Sequence, residues 1–152
     1  MPTTAADRIF LDTNVLVYAS RPATAEHAAA RAALAKAETS GTAIWTGEQV
    51  LREYLAVVTR PQATAPPPLP MTTAIADVRR FQSVFEIAED GPLVFERLLV
   101  LLAIYPVAGA QVHDTNIVAT MLTHGIKRLL TFNAQDFRRF ASEIETEALA
   151  RP

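Results

Sequence analysis

Short apolar runs alternate with longer segments of helical character along this chain. That alternation limits the possible fold more than any other feature. Parallel strands need crossover connections, usually helical, whereas antiparallel strands can be joined by tight turns. A chain that keeps placing helices between its strands points to an α/β fold with a mainly parallel sheet.

The first run, Arg8 to Asp12, is short, apolar and bounded by polar residues, as a buried strand should be. Thr13 or Asn14 can cap a short helix after it, and Ala25 to Glu38 is an alanine-rich helix ending near Ser40-Gly41. "TAIWT", Thr42 to Thr46, reads as a second strand. Thr46 and Gln49 have the spacing of a capping box for a helix over Gly47 to Thr59, which Pro61 stops. Gln62 to Pro70 is a proline-rich loop. Met71 to Val84 reads as an amphipathic helix with Ile75, Val78, Phe81 and Phe85 on one side, and Glu86 to Ala88 as a short strand. Pro92 suits the first turn of a helix running to about Ile104. Asp114 to Thr123 is a further helix, ended by His124-Gly125, and Arg128 to Thr131 a further strand. "NAQDFRRF" then starts a turn and short helix whose Phe137 and Phe140 are expected in the core. With no internal repeat, residues 1–152 are expected to form one domain with its core at about 8–140.

The chemistry starts at Asp12. A carboxylate ending a buried strand must be solvated, paired or bound to a cation. In open parallel sheets, ligands bind at the carboxyl ends of the strands, so Asp12 stands where a site is expected. Glu53 lies on a largely apolar helix, where a rim residue paired with an arginine such as Arg60 is the competing explanation. Glu48 is the rival acid, but in a first turn it simply complements the helix dipole. Asp114 has Ile117 and Val118 one turn away and so shares the core side of its helix, although the dipole alone also favours an acid there. Asn116 is a polar residue one turn in, a candidate to support the site from behind or to bind substrate. Thr131 ends a strand, and Asn133 and Asp136 follow it, in positions that turn chemistry also favours.

Acids drawn from such distant positions would repel one another if they met, and a divalent cation removes that conflict. Hard oxygen ligands suit Mg²⁺ or Mn²⁺, ions that activate water and stabilise charge on a phosphate. The chain has no cysteine, which excludes disulfides, thiolate metal sites and cysteine nucleophiles, and suits a cytoplasmic setting. Its three histidines are isolated, and no phosphate-binding glycine loop, serine elbow or dinucleotide fingerprint is present. The formal charge of −2 advertises no large basic surface. The run Leu98 to Tyr105 is too short to span a membrane, and "MPTTAADR" has no signal-peptide pattern.

"FLDTNVLVYA", "QVLREYLAVVTRP" and "VHDTNIVATMLTHGIKRLLTFNAQDF" together resemble the PIN-domain family and, within it, the VapC-type ribonuclease toxins. The resemblance runs from about Ile9 to Phe140. It implies a three-layer α/β/α sandwich and a Mg²⁺- or Mn²⁺-dependent endoribonuclease that leaves a 5′-phosphate and a 3′-hydroxyl. By motif, Asp12, Glu53 and Asp114 match the family's first three acids. Asp12 and Asp114 are expected to hold the metal directly, and Glu53 to act through water. The fourth acid position falls on Asn133, with Asp136 three residues on, and either could complete the site. Asn14 and Thr131 match polar positions near the metal. The resemblance also implies an RNA substrate, a separate VapB-like antitoxin chain and a homodimer. Arg60, Lys127, Arg138 and Arg139 are candidates for contacting RNA.

Two other classes fit parts of the pattern. A haloacid-dehalogenase-like phosphatase also begins with a strand-ending aspartate, but it needs a second acid two residues later, where this chain has Asn14. A non-catalytic RNA- or protein-binding module would keep the fold without needing Asp12, Glu53 and Asp114 together.

Overall fold

The computed structural model describes residues 7–63 and 66–152. Thr64 and Ala65 of the expected proline-rich loop lie outside the described residues, as do the first six residues of the N-terminal stretch.

The chain runs β1 (Arg8–Leu11), α1 (Thr13–Ala19), α2 (His27–Thr39), β2 (Ala43–Gly47), α3 (Glu48–Thr59), α4 (Met71–Val84) and β3 (Glu86–Ala88). It continues with α5 (Pro92–Ile104), α6 (Gln111–Thr123), β4 (Arg128–Thr131), a 3-10 helix (Ala134–Phe140) and β5 (Glu145–Ala148). The strands form one sheet in the order β3-β2-β1-β4-β5, and every pairing is parallel. The α/β architecture read from the alternating pattern is therefore the observed one. The helices connecting β1, β2 and β3, α1 to α4, pack on one another, and α5, α6 and the 3-10 helix, which connect β3, β4 and β5, form a second group. Right-handed crossovers, the rule for parallel sheets, put the two groups on opposite faces. The chain first builds leftward from β1, then returns to add β4 on its right. The order thus reverses between β1 and β4, the kind of switch point at which α/β sheets bind ligands.

Central position explains the strand sequences. Ile9, Phe10 and Leu11 are all buried, as are Leu129 and Leu130 of β4, because both sheet faces are covered. Phe137 and Phe140 seal the far end of the core as expected. Pro92 opens α5, and Gly125 follows α6 with φ +71°. Arg60 ends α3 in an extended conformation, which Pro61 imposes on the residue before it.

Several local expectations are corrected. Asp12, not Thr13 or Asn14, caps α1, with its side chain accepting from the Thr13 N–H. Thr46 and Gln49 form no capping box. The cap of α3 is Gly47, the Thr46 hydroxyl donates to the Leu11 carbonyl, and Gln49 turns inward. A sheet hydrogen-bond partner was available to Thr46, and the short-range pattern could not reveal it. Helix α6 begins at Gln111, which places Asp114 within its first turn and not at its start. On α4 the buried positions are Ala74, Asp77 and Phe81, and Ile75 is largely exposed. Asp77 is tolerated there because it accepts from the Tyr54 hydroxyl and pairs with Arg80. Strand β5, too polar to stand out in sequence, completes the sheet edge beside β4.

Candidate active site

The site is built by sheet register. Leu11 pairs with Leu130, and the Asp12 N–H bonds to the Leu130 carbonyl at 3.1 Å. Asp12 and Thr131 are thereby brought together at the carboxyl ends of neighbouring strands. The Thr131 hydroxyl donates to Asp12 Oδ2 at 2.7 Å, and the Thr13 N–H donates to Oδ1 at 2.8 Å. Asn14 adds its amide N–H to Asp12 Oδ2 at 3.3 Å while its Oδ1 accepts from the Phe132 N–H. Asp12 is buried, and burial pushes its carboxyl above the usual range. The two short hydrogen bonds oppose that rise, and the charges of Glu53 and Asp136 add to it.

Glu53 enters from α3. Its Oε2 accepts from the Thr13 hydroxyl at 2.7 Å and its Oε1 from the Gln49 amide at 2.8 Å. It pairs with no arginine among the described residues, so the rim-residue explanation fails. The rival, Glu48, accepts from the Asp90 N–H and takes no part. Gln49 also donates to the His113 carbonyl and accepts from Asn116, which links α3 to the first turn of α6. Asn116 thus lies behind the site, holding the residue that holds Glu53.

Asp12, Glu53, Asp114, Asn133 and Asp136 all line one open cavity of about 260 Å³, with Thr13 and Asn14 beside them and Val17, Tyr18 and Val57 as an apolar wall. All five residues singled out as catalytic candidates therefore converge on it. Asp114 shows the electrostatic consequence. Burial, then the charges of Asp12, Asp136 and Glu53, push its carboxyl up to about 6, against a small opposing effect of His113. Negative charge brought from four separate regions raises the pKa of Asp12 and Asp114 and makes a site suited to a hard divalent cation. The donor set fits such an ion in kind: carboxylate and amide oxygens, with no sulfur. Among the described residues no three acidic or imidazole groups stand close enough to close on one ion together. At most two of these acids can ligate it directly as placed, and water or amide oxygen must supply the rest.

Three members of the site are not among the sequence candidates. The pattern at Thr13 and Gln49 points to helix capping, and Arg151 follows the polar β5 beyond the last recognised motif. Arg151 Nη2 donates to Asn133 Oδ1 at 3.0 Å, and its Nη1 donates to the Tyr18 hydroxyl at 3.0 Å and Glu26 Oε1 at 2.9 Å. The Asn133 oxygen is thus already engaged by a guanidinium. The expected RNA contacts fare differently. Arg139 bonds to the Pro106 carbonyl and Gln111, while Lys127 stands just before β4, at the opposite end of the sheet from the site.

No helix among the described residues is long and apolar enough to cross a membrane. No curated protein matches the chain in sequence. Solved structures match it closely in shape. A chain of VapBC2 from Rickettsia felis, bound to a promoter DNA fragment, superposes with a TM-score of 0.67 at 18% identity, covering 93% of this chain and 98% of its own. The VapC20 toxin of Mycobacterium tuberculosis gives 0.63 at 19% identity, covering 90% and 96%. FitAcB from Neisseria gonorrhoeae gives 0.56 at 19% identity, covering 91% and 95%. At such identities the likeness establishes a shared fold. The PIN domain family model matches residues 9–143, nearly the whole sequence, and the chain belongs to the PIN domain family.

Proposed function

We propose that this chain, as one domain, is a Mg²⁺- or Mn²⁺-dependent endoribonuclease and the toxin of a VapBC-type toxin–antitoxin pair. The observation that carries the reading is the convergence of Asp12, Glu53, Asp114 and Asp136 on one cavity at the switch point of the sheet. Family membership supports nuclease chemistry. The M. tuberculosis neighbour is a toxin that cleaves the sarcin-ricin loop, and another neighbour is a toxin–antitoxin complex from Klebsiella pneumoniae. These support an RNA substrate and a separate antitoxin chain for this protein.

Asp12 and Asp114 are the residues that would hold the cation, with the Asn133 amide oxygen directly, or Asp136 through water, completing the set. When bound, the ion supplies positive charge for the phosphate and lowers the pKa of water. The chain's own side chains do the rest. Thr131, Thr13 and Asn14 fix the Asp12 carboxylate. Glu53, held at both oxygens by Thr13 and Gln49, retains lone pairs with which to orient the attacking water. Attack at phosphorus breaks the bond to the 3′ oxygen, giving a 5′-phosphate and a 3′-hydroxyl. The exposed apolar row on α5 formed by Leu93, Val100 and Ile104 supports a protein partner, which we take to be a second copy of the chain.

The test is cleavage of total cellular RNA by purified protein in Mg²⁺ or Mn²⁺, beside a chelator control and the variants Asp12→Asn and Asp114→Asn. Discrete cleavage lost with chelator and in both folded variants is the expected result. Wild-type cleavage no greater than that of the variants would favour a binding module, and cleavage surviving in both would overturn the assignment of the acids.

A further inference from the structure

Resting on the ribonuclease reading, the geometry points to a second, basic groove that carries the RNA strand away from the acidic cavity. Arg151 stands at the junction, Arg21 in the floor and Arg60 at the rim.

The acidic cavity poses a problem that it does not solve itself. Four carboxylates line it, and no lysine or arginine does. A polyanion approaching it is repelled unless positive charge nearby compensates. A larger groove of about 570 Å³ adjoins it and shares Val17, Tyr18 and Val57 as a common wall. Its charge is opposite in sign. Arg21 and Arg60 line it, and Arg151 reaches Tyr18 and Glu26 of the same wall. Glu26 is the only carboxylate among the described lining residues, and Arg151 already pairs with it. Three arginines thus face one glutamate on a chain whose formal charge is −2.

Arg21 is the most telling of these. It is only 8% exposed, and among the described residues no carboxylate pairs with it. Among the described residues its guanidinium donates to the Val58 and Pro67 carbonyls alone. Backbone dipoles satisfy its hydrogen bonds but leave its net charge uncancelled, and that charge acts on the groove it lines. Arg60 is exposed at the opposite side and has no ion pair among the described residues. Arg151 lies over the Tyr18 ring, 5.6 Å from its centre, where cavity and groove meet. Three of its five N–H groups are used by Tyr18, Glu26 and Asn133, and the others have no acceptor among the described residues. A phosphate beside the scissile one would find free donors there.

The experiment compares Arg60→Gln, Arg151→Gln and the double variant with wild type and with Lys127→Gln, a cation at the far end of the sheet. Steady-state kinetics are measured on a single-stranded RNA oligonucleotide at low and high KCl, and on bis(p-nitrophenyl) phosphate, which is too small to reach the groove. Each groove variant is expected to raise KM for RNA, and Arg60→Gln, which lies outside the acidic cavity, to leave turnover of the small diester unchanged. Each should also flatten the log–log salt dependence by about 0.7, so that a fourfold rise in salt costs roughly 2.6-fold less affinity per arginine removed. RNA kinetics and salt dependence like wild type in both single variants would overturn the groove. So would an equal loss on the small diester in Arg60→Gln, or the same effect from Lys127→Gln. If Arg151→Gln fails to fold, the exposed Arg60 carries the test. Wild-type protein that cleaves no RNA would instead remove the ribonuclease reading, and the groove with it.

Discussion

Asp114→Asn should make the metal-free protein more stable while abolishing its response to divalent cations. The Asp114 carboxyl is pushed from 3.8 to about 6, first by burial and then by the charges of Asp12, Asp136 and Glu53. Holding it ionised at neutral pH against that displacement costs up to about 3 kcal/mol. The side chain is partly exposed, so solvent screens some of that cost. Asparagine also forgoes the first-turn attraction to the helix dipole, about 0.3–1 kcal/mol. A net gain of about 1–2 kcal/mol remains, or about 2–8 °C in Tm for a chain of this size. Because the folded-state pKa is raised, the native chain binds this proton more tightly than the unfolded chain does. The wild-type contribution is therefore fully present below about pH 4 and lost as pH rises through about 6. Asparagine stays neutral, so the variant's advantage should be absent near pH 4 and complete above about pH 7. Thermal melts in chelator at the two pH values, repeated with Mg²⁺ at neutral pH, read this directly. A variant no more stable than wild type at neutral pH in chelator would refute the crowding of carboxylates. An unchanged gain on adding Mg²⁺ would refute the role of Asp114 as a ligand.

Other perturbations test the supporting structure. Thr131→Val keeps the shape but removes the buried hydroxyl that donates to Asp12 and accepts from the Asn133 N–H, and should cost about 1.5–3 kcal/mol in urea denaturation. A loss under half a kcal/mol would show that Asp12 is held in some other way. Gln49→Met frees one Glu53 oxygen and should lower kcat on RNA by about 10–100-fold while KM changes little. Equal activity would show that Glu53 needs no positioning. Gly47→Ala would set a methyl group 3.1 Å from the ring of the fully buried Phe10, and should destabilise the fold by about 1–3 kcal/mol in the same denaturation assay. Leu93→Glu combined with Val100→Glu should abolish self-association in sedimentation while leaving a folded monomer, because both side chains are exposed on α5. A wild type that is monomeric at all concentrations would remove the homodimer proposal.

The sequence by itself determined the architecture and the identity of the acids. Short apolar runs bounded by polar residues mark β1, β2 and β4 because strands buried on both faces need continuous apolar side chains. Pro92 and His124-Gly125 mark helix ends because those residues act on their own backbone. Asp12, Glu53 and Asp114 stand out because a carboxylate at a core-facing position needs a reason. Only the tertiary structure decided what those acids lean on. Thr13, Glu53, Gln49 and Asn116 form a chain of hydrogen bonds across α1, α3 and α6. The Gln49–Glu53 link is one helical turn, but the links to Thr13 and Asn116 span separations that no local pattern encodes. Thr46 followed by Gln49 has the form of a capping box, yet the sheet claims one residue and the site the other. Strand β5 escaped notice because an edge strand can be polar, and so did Arg151, which follows it. Local propensities act over a turn or two of chain, whereas the partners of a buried charge are chosen by whichever elements the fold brings alongside it.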